Sequence, residues 1–416
     1  MFLLRAAILL VLGIGLVETS RAQIIVLNTA DSGAGSLRDA INHAPNGATI
    51  TFAPGLAGQT ITLFGGQLVL SNNLSLDGSV LATPVTINAG HNSRIFYIQS
   101  TATNILNSLN LTGGVVTGPA GTPMDYGDNP GEGGEGDGGG IYNAGTLTLN
   151  NITLSQCTAV GGTGEPGGYN GGPGFGGGIF NLGTLNLNYS TLTGCSAIGG
   201  QGSDGLNYAN GGTGGQGFGG AIYNAGTLVS TQSILTANSA VGGNGGNGYN
   251  VGGVGSYGYG GGLANGFLEN AGTATLNQST LSGNAATGGT GGYGVGGAYG
   301  GGESACGGGI FNPGSVTLNE CTVSGNVANG NGAEGGGICT YGSAFVNQST
   351  ISGNAANGGN NNYGEGGAIF TVRGAEVNQS TVVGNTATGM APNTFGGING
   401  GEYLYLFNTI VTANSQ

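Results

Sequence analysis

The stretch Gly138-Gly139-Gly140-Ile141-Tyr142-Asn143-Ala144-Gly145-Thr146-Leu147-Thr148-Leu149-Asn150-Asn151-Ile152-Thr153-Leu154-Ser155 carries the pattern on which the fold turns. A glycine run leads into one aliphatic residue, Ile141, and a second, Leu154, follows 13 residues later. Between them apolar and polar residues alternate, as in Thr146-Leu147-Thr148-Leu149, which is the period of a strand with one buried face. No helical period is present.

The pattern occurs eight times in all. Its first aliphatic position is Ile141, Ile179, Ile222, Leu263, Ile310, Ile338, Ile369 and Ile398; its second is Leu154, Leu192, Leu235, Leu281, Val323, Ile351, Val382 and Val411. The two stand 13 residues apart in every repeat but the fourth, where Gly266 to Asn270 are inserted. Repeat-to-repeat spacing runs from 28 to 47 residues, and nearly all of that variation follows the second position. A rung of constant length with a loop of variable length is the signature of a solenoid. Strands stacked in parallel at about 4.8 Å per coil would align the aliphatic residues into buried columns. Two asparagine columns accompany them. One comprises Asn143, Asn181, Asn224, Asn265 and Asn312; the other comprises Asn238, Asn284, Asn326, Asn354, Asn385 and Asn414, with Cys157 and Cys195 at its position in the first two repeats. Buried turns need side-chain partners for their backbone, and stacked asparagines supply them. The fold expected is all-β: a single-stranded right-handed parallel β-helix with a short N-terminal capping helix and long glycine-rich loops on one side.

Upstream, Met1 to Val17 combine Arg5 with an apolar run and precede Thr19-Ser20-Arg21-Ala22, which predicts a signal peptide over 1–22. Ser36-Leu37-Arg38-Asp39-Ala40-Ile41 predicts one helix with Ser36 as N-cap and Pro45 as stop. The organisation expected is therefore a solenoid cap over 23–60, short coils over 61–137 and eight glycine-rich repeats over 138–416. No later segment has the roughly 18 apolar residues of a membrane span. The chain is expected to be secreted or held at the outer cell surface.

The segment Val26-Leu27-Asn28-Thr29-Ala30-Asp31-Ser32-Gly33-Ala34-Gly35-Ser36-Leu37-Arg38-Asp39-Ala40-Ile41 resembles the opening of bacterial exported β-helix repeat proteins of the pectin-lyase-like superfamily. The G-G-A-I motifs at Gly219 to Ile222 and Gly366 to Ile369 resemble the repeats of polymorphic outer-membrane proteins, although the companion F-x-x-N motif is largely missing. The resemblance implies a fold shared by polysaccharide lyases, hydrolases and non-enzymatic adhesins, and fold alone does not choose among them.

Charge narrows the partners. Lysine is absent, and beyond residue 22 only Arg38, Arg94 and Arg373 stand against 17 acidic residues. Nucleic acid and anionic membranes require cationic patches that such a chain cannot build. Zinc in a Cys/His site is disfavoured as well, because the five cysteines contain no C-x-x-C pair and His43 and His91 lie far from them. Cys157 and Cys195 should be neighbours on adjacent coils, able to join or to remain buried thiols.

Catalysis on a polysaccharide needs paired carboxylates, or a carboxylate-bound cation with a basic residue, projecting from adjacent strands. The recognisable strands offer no such column: Asp77, Glu320 and Glu376 stand alone, and Arg94 and Arg373 have no charged counterpart in neighbouring repeats. No enzyme, catalytic residue or organic cofactor is therefore expected. One acidic cluster, Asp125, Asp128, Glu132, Glu135 and Asp137, offers hard oxygen ligands suited to Ca²⁺. Its spacing misses the calcium-binding nonapeptide by one place and it occurs once instead of once per coil, so a solvated acidic loop accounts for it better. Thr153/Ser155, Thr191/Thr193, Thr280/Ser282, Thr322/Ser324 and Thr350/Ser352 should form outward hydroxyl rows of the kind ice-binding solenoids use, or simply reflect β-propensity. Tyr169, Tyr208, Tyr249, Tyr257, Tyr259, Tyr293, Tyr299 and Tyr363 all fall in the variable segments and should form one fringe. Tyrosine with Gly, Asn and Ser is the composition of binding loops, and also of low-complexity spacers. The function expected is a non-catalytic, adhesin-like surface scaffold binding glycan or protein, with a polysaccharide lyase or glycoside hydrolase as alternative and a structural filament or ice-binding protein third. The uncharged strand Leu406 to Asn414 further predicts end-to-end self-association at an open edge.

Overall fold

The computed structural model describes residues 23–122, 131–267, 270–359, 362–389 and 395–416, so the expected signal peptide lies outside the described residues. In the first glycine-rich coil the chain passes through strands Gly136–Asp137, Ile141–Asn143, Thr146–Asn150, Thr153–Ser155 and Thr158–Val160. Equivalent strands of successive coils pair in parallel and in register, and among the described residues they form five parallel sheets of seven, ten, twelve, eleven and eight strands. The protein is a right-handed parallel β-helix. Its described helices are α1 (Leu37–His43) and a 3₁₀ turn at Pro54–Leu56. The five-residue insertion is a small antiparallel excursion in which Gly266–Phe267 pairs with Asn270–Ala271.

Corners come from left-handed backbone. In the first repeat these are Gly138 (φ 61°), Asn151 (φ 52°) and Gln156 (φ 53°), and the second corner is filled later by Tyr189, Gln232, Gln278, Glu320, Gln348 and Gln379. That conformation costs a non-glycine residue about 1–2 kcal/mol. It is held because each corner donates to the next coil, as Asn151 N–H does to Asn188 O at 3.1 Å.

Both aliphatic series pair coil to coil, for example Ile141 with Ile179 and Leu154 with Leu192. They are fully buried or nearly so up to Ile369 and Val382. Burial of each such side chain stabilises the fold by about 1.5–3 kcal/mol. The asparagine columns run beside them. Asn143 Nδ2 donates to Asn181 Oδ1 at 2.7 Å and Asn181 to Asn224 at 2.6 Å, while Asn238, Asn284, Asn326, Asn354 and Asn385 each donate to the next at 2.9 Å. An amide is both donor and acceptor, so it pairs with its own copy and still binds a backbone group. A serine column does likewise, with Ser190 N–H donating to Ser233 Oγ at 3.1 Å. Cys321 occupies a place in that series, and its N–H donates to Ser349 Oγ at 2.9 Å. Cys157, Cys195 and Cys321 are free and buried.

At the N-terminal end, α1 covers the first coil with Leu37, Ala40 and Ile41, and Ser36 Oγ caps it by accepting from Asp39 N–H at 3.1 Å. Arg38 anchors the cap through Asp31 at 2.8 Å and the carbonyls of Gly66 and Gln67. In the last coil the core is uncovered: Leu406 and Val411 are 45% and 43% exposed, against 0% for their partners Val377 and Val382.

The glycine segments leave the helix between the eight-stranded and seven-stranded sheets, at the single corner their spacing predicts. Among the described residues, 161–173, 199–216, 242–257 and 288–304 are ordered arms, not open loops. Gly161, Gly164 and Gly167 donate to Ile198, Gln201 and Asp204 of the next coil's outgoing arm, and Gly171 and Gly174 to Thr213 and Gln216 of the next returning arm. Residues between these donate sideways: Gly172 to Gly162, Gly200 to Gly172, Gly215 to Gly200 and Gly243 to Gly215, all at 2.7–2.8 Å. Bonds to a given neighbour recur every third residue, the period of a polyproline II-type helix whose backbone groups all point outward. The arms thus form a slab knit by backbone hydrogen bonds. Its spacing excludes side chains: a Cβ at Gly161 would lie 1.8 Å from Gly172 O, and one at Gly200 1.9 Å from Gly162 O. The third residue of each triplet, such as Thr163, Gln201, Asn244 or Thr290, is exposed.

Gly200→Ala is therefore expected to destabilise the protein by about 1–3 kcal/mol, as overpacking does, and to make residues 199–217 protease-sensitive. Gln201→Ala, one residue away, should leave both melting and proteolysis unchanged. Equal behaviour of the two variants would contradict the slab.

Candidate functional site

Where the seven-stranded sheet meets the ten-stranded sheet, the left-handed glycine at 138, 176, 219, 260, 307, 335 and 366 turns the chain outward and makes a concave corner. Two side-chain columns fill it. One is Asp137, Phe175, Phe218, Tyr259, Cys306, Glu334 and Glu365; the other is Tyr97, Tyr142, Phe180, Tyr223, Ala264, Phe311, Cys339 and Phe370. Rings stack along each column, as Phe218 does on Tyr259 at 4.9 Å, and interlock across them, as Tyr259 does with Phe311 at 4.5 Å. This second core lies outside the solenoid, and Phe218, Tyr223 and Phe311 are buried in it.

Past Tyr259 and Phe311 the chemistry changes. A disulfide joins Cys306 to Cys339 across the two columns. Glu334 Oε2 lies 3.8 Å from Cys306 Sγ and 3.9 Å from Cys339 Sγ, and accepts from the Tyr341 hydroxyl at 2.9 Å. A cavity of about 200 Å³ opens here, lined by Tyr257, Tyr259, Ser304, Glu334, Tyr341 and Tyr363. Burial pushes the Glu334 carboxyl above its usual range and Glu365 adds repulsion, while hydrogen bonds from Tyr341 and Tyr363 oppose the shift. Burial, with hydrogen bonding to Glu303, pushes Tyr257 up to about 12, so this hydroxyl remains a donor at neutral pH.

This cluster corrects the expectation of isolated acids. Glu334 and Glu365 face each other on adjacent coils. Their strands, Ala333–Glu334 and Gly364–Glu365, are two residues long and show no alternation, so the pair was not visible as a column. Asp77 and Glu320 do stand apart, each accepting a hydrogen bond, from Ser79 and Gln278; Glu376 instead lines a cavity of about 350 Å³ with Arg373 and Glu402, and the register Gly374 to Tyr403 gives Arg373 the charged counterpart Glu402 that was not expected.

Of the proposed calcium ligands, Asp125 and Asp128 lie outside the described residues. Glu132 is exposed and accepts from Asn170 Nδ2 at 3.1 Å, and Glu135 is exposed. Asp137 instead heads the aromatic corner beside Arg94. That guanidinium donates to Gly138 O at 2.9 Å and lies 5.3 Å over the Tyr142 ring.

Seven of the eight tyrosines divide into two groups. Tyr257, Tyr259 and Tyr363 belong to the cavity. Tyr208 and Tyr249 pair edge-on at 4.5 Å across adjacent arms, Tyr293 and Tyr299 pair at 4.6 Å, and all four are exposed at the arm tips together with Leu206, Val251 and Val295. Tyr169 is half-buried on its own arm. The hydroxyl rows are in register as expected, Thr153 with Thr191 and Ser155 with Thr193. Several hydroxyls bind their own neighbours, as Ser155 Oγ does to Thr112 Oγ1 and Ser282 Oγ to Thr236 Oγ1, both at 3.1 Å.

Asp137 gives the corner a pH signature. Burial first, then Glu135, raise its carboxyl from 3.8 to about 6, against the pull of Arg94. The folded state therefore holds the proton more tightly than the unfolded chain, so this contribution to stability is full below pH 3.8 and is lost as pH rises through about 6. Asp137→Asn should flatten the fall in melting temperature over that window; an unchanged slope would contradict the burial of this carboxyl.

No family model matches the chain, and no curated protein matches it in sequence. Among solved structures, the crystal structure of the pectate lyase Pel9A is similar at 13% identity over 95% of this chain and 79% of that one, with a TM-score of 0.31.

Proposed function

We propose that this chain is a non-catalytic, exported β-helix scaffold, adhesin-like in use, that binds a neutral glycan or a protein surface through the tyrosine-bearing tips of its glycine arms. The observation that carries this is the exposed set Tyr208, Tyr249, Tyr293 and Tyr299, with Leu206, Val251 and Val295 beside it. Apolar surface gathered in one place on a water-exposed protein marks a contact site. Rings held on a hydrogen-bonded slab present area at little entropic cost, and their hydroxyls supply hydrogen bonds. A chain without lysine favours an uncharged partner over a polyanion. The resemblance of Val26 to Ile41 to the opening of exported β-helix repeat proteins supports a place at the cell exterior.

A second reading rests on Glu334 and Glu365. Two carboxylates on adjacent coils beside a cavity are what a polysaccharide-cleaving enzyme would use. A polysaccharide panel separates the two. For the scaffold, immobilised glycans or cells retain the protein without releasing reducing sugars or unsaturated products, and replacing the four tip tyrosines by alanine weakens retention roughly tenfold or more. Unchanged retention in that variant defeats the tip as the contact surface, and product release abolished by Glu334→Gln establishes the enzyme.

We infer also that copies of the chain stack end to end through the exposed Leu406 and Val411 of the last coil. Concentration-dependent light scattering, reduced by Val411→Lys with Ala413→Pro, is expected; a chain monomeric at high concentration would refute stacking.

A further inference from the structure

We propose that, once the Cys306–Cys339 disulfide is reduced, Cys306, Cys339 and Glu334 together hold one thiophilic divalent cation of the zinc class. This is independent of what the arm tips bind. The first support is geometric: one ligand atom from each residue lies within 4.8 Å of the others, with the carboxylate 3.8 and 3.9 Å from the two sulfurs. A tetrahedral zinc with Zn–S about 2.3 Å and Zn–O about 2.1 Å sets its ligand atoms about 3.5–3.8 Å apart. The carboxylate thus already stands at about the ligand spacing from both sulfurs, and the freed sulfurs must move apart by side-chain rotation to reach theirs.

The second support is the carboxylate itself. In the preceding coils these columns carry Phe218 with Tyr223 and Tyr259 with Ala264, and a disulfide alone would continue that packing. Instead a half-buried carboxylate stands against the bridge. No ion pair among the described residues involves it; its partners are the Tyr341 and Tyr363 hydroxyls. An anion withdrawn even partly from water is stabilised by a cation or by a fuller set of donors. Two thiolates and a carboxylate around one divalent ion would satisfy that requirement, and the adjoining cavity admits a water as fourth ligand.

The chemistry balances. A phosphine or dithiol reductant supplies two electrons, the S–S bond breaks, and two protons from solvent give two thiols. Cation binding then forms two metal–sulfur bonds and releases both thiol protons.

The test uses the full chain, reduced with a water-soluble phosphine under anaerobic conditions and titrated with Co²⁺, then with Zn²⁺. The expected result is one equivalent of Co²⁺ bound, with sulfur-to-cobalt charge transfer in the near ultraviolet that Zn²⁺ abolishes and the oxidised protein never shows. Cys157→Ser with Cys195→Ser and Cys321→Ser should keep the band, and Glu334→Gln should weaken binding roughly tenfold or more. Circular dichroism of the reduced protein shows whether the coil is intact. A folded, reduced protein without the band overturns the proposal, as does a band that survives Cys339→Ser or vanishes in the triple variant while that variant stays folded.

Discussion

Everything in this molecule depends on the backbone hydrogen bond from one coil to the next. It fixes equivalent residues about 4.8 Å apart, so that each side chain must tolerate a near copy of itself as neighbour. Aliphatic residues do so by packing, and asparagine and serine by being donor and acceptor at once. Ionised groups repel, and the in-register pair Glu334 and Glu365 is an exception. That constraint accounts for a chain with 6% charged residues, and for acids such as Glu320 that sit at left-handed corners with a polar partner such as Gln278.

The glycine arms carry the same constraint outward. Among the described residues the slab is held without a side-chain core; neighbouring backbones approach closely enough that a carbonyl occupies the place of a Cβ. Glycine is required for closeness of approach, not for its φ range, because arm glycines such as Gly161, Gly200 and Gly243 keep ordinary negative φ. The slab then holds paired tyrosines at its tips. A contact surface built this way is rigid where glycine-rich composition alone suggests flexibility.

How much was legible follows from which residues repeat in kind. The aliphatic ladders from Ile141 and Leu154 and both asparagine columns could be read because identical or similar residues recur at fixed offsets. The aromatic corner was hidden because its columns mix Asp, Phe, Tyr, Cys and Glu and lie on two- or three-residue strands. Cys306 precedes its glycine triplet whereas Cys339 follows the aliphatic of the next coil, so the two occupy different columns and only the folded corner brings them together. A signal for the slab was present in Gly242-Gly243-Asn244-Gly245-Gly246-Asn247-Gly248, whose triplet period marks a threefold helix.

The most direct test of the central claim, that coil-to-coil backbone bonds order the arms as well as the strands, is hydrogen–deuterium exchange resolved by segment. Amides of 199–217 and 242–258 should exchange as slowly as those of the strand segments 184–198 and 227–241. Arm amides that exchange at the rate of an unstructured chain, while the strands stay protected, would contradict it.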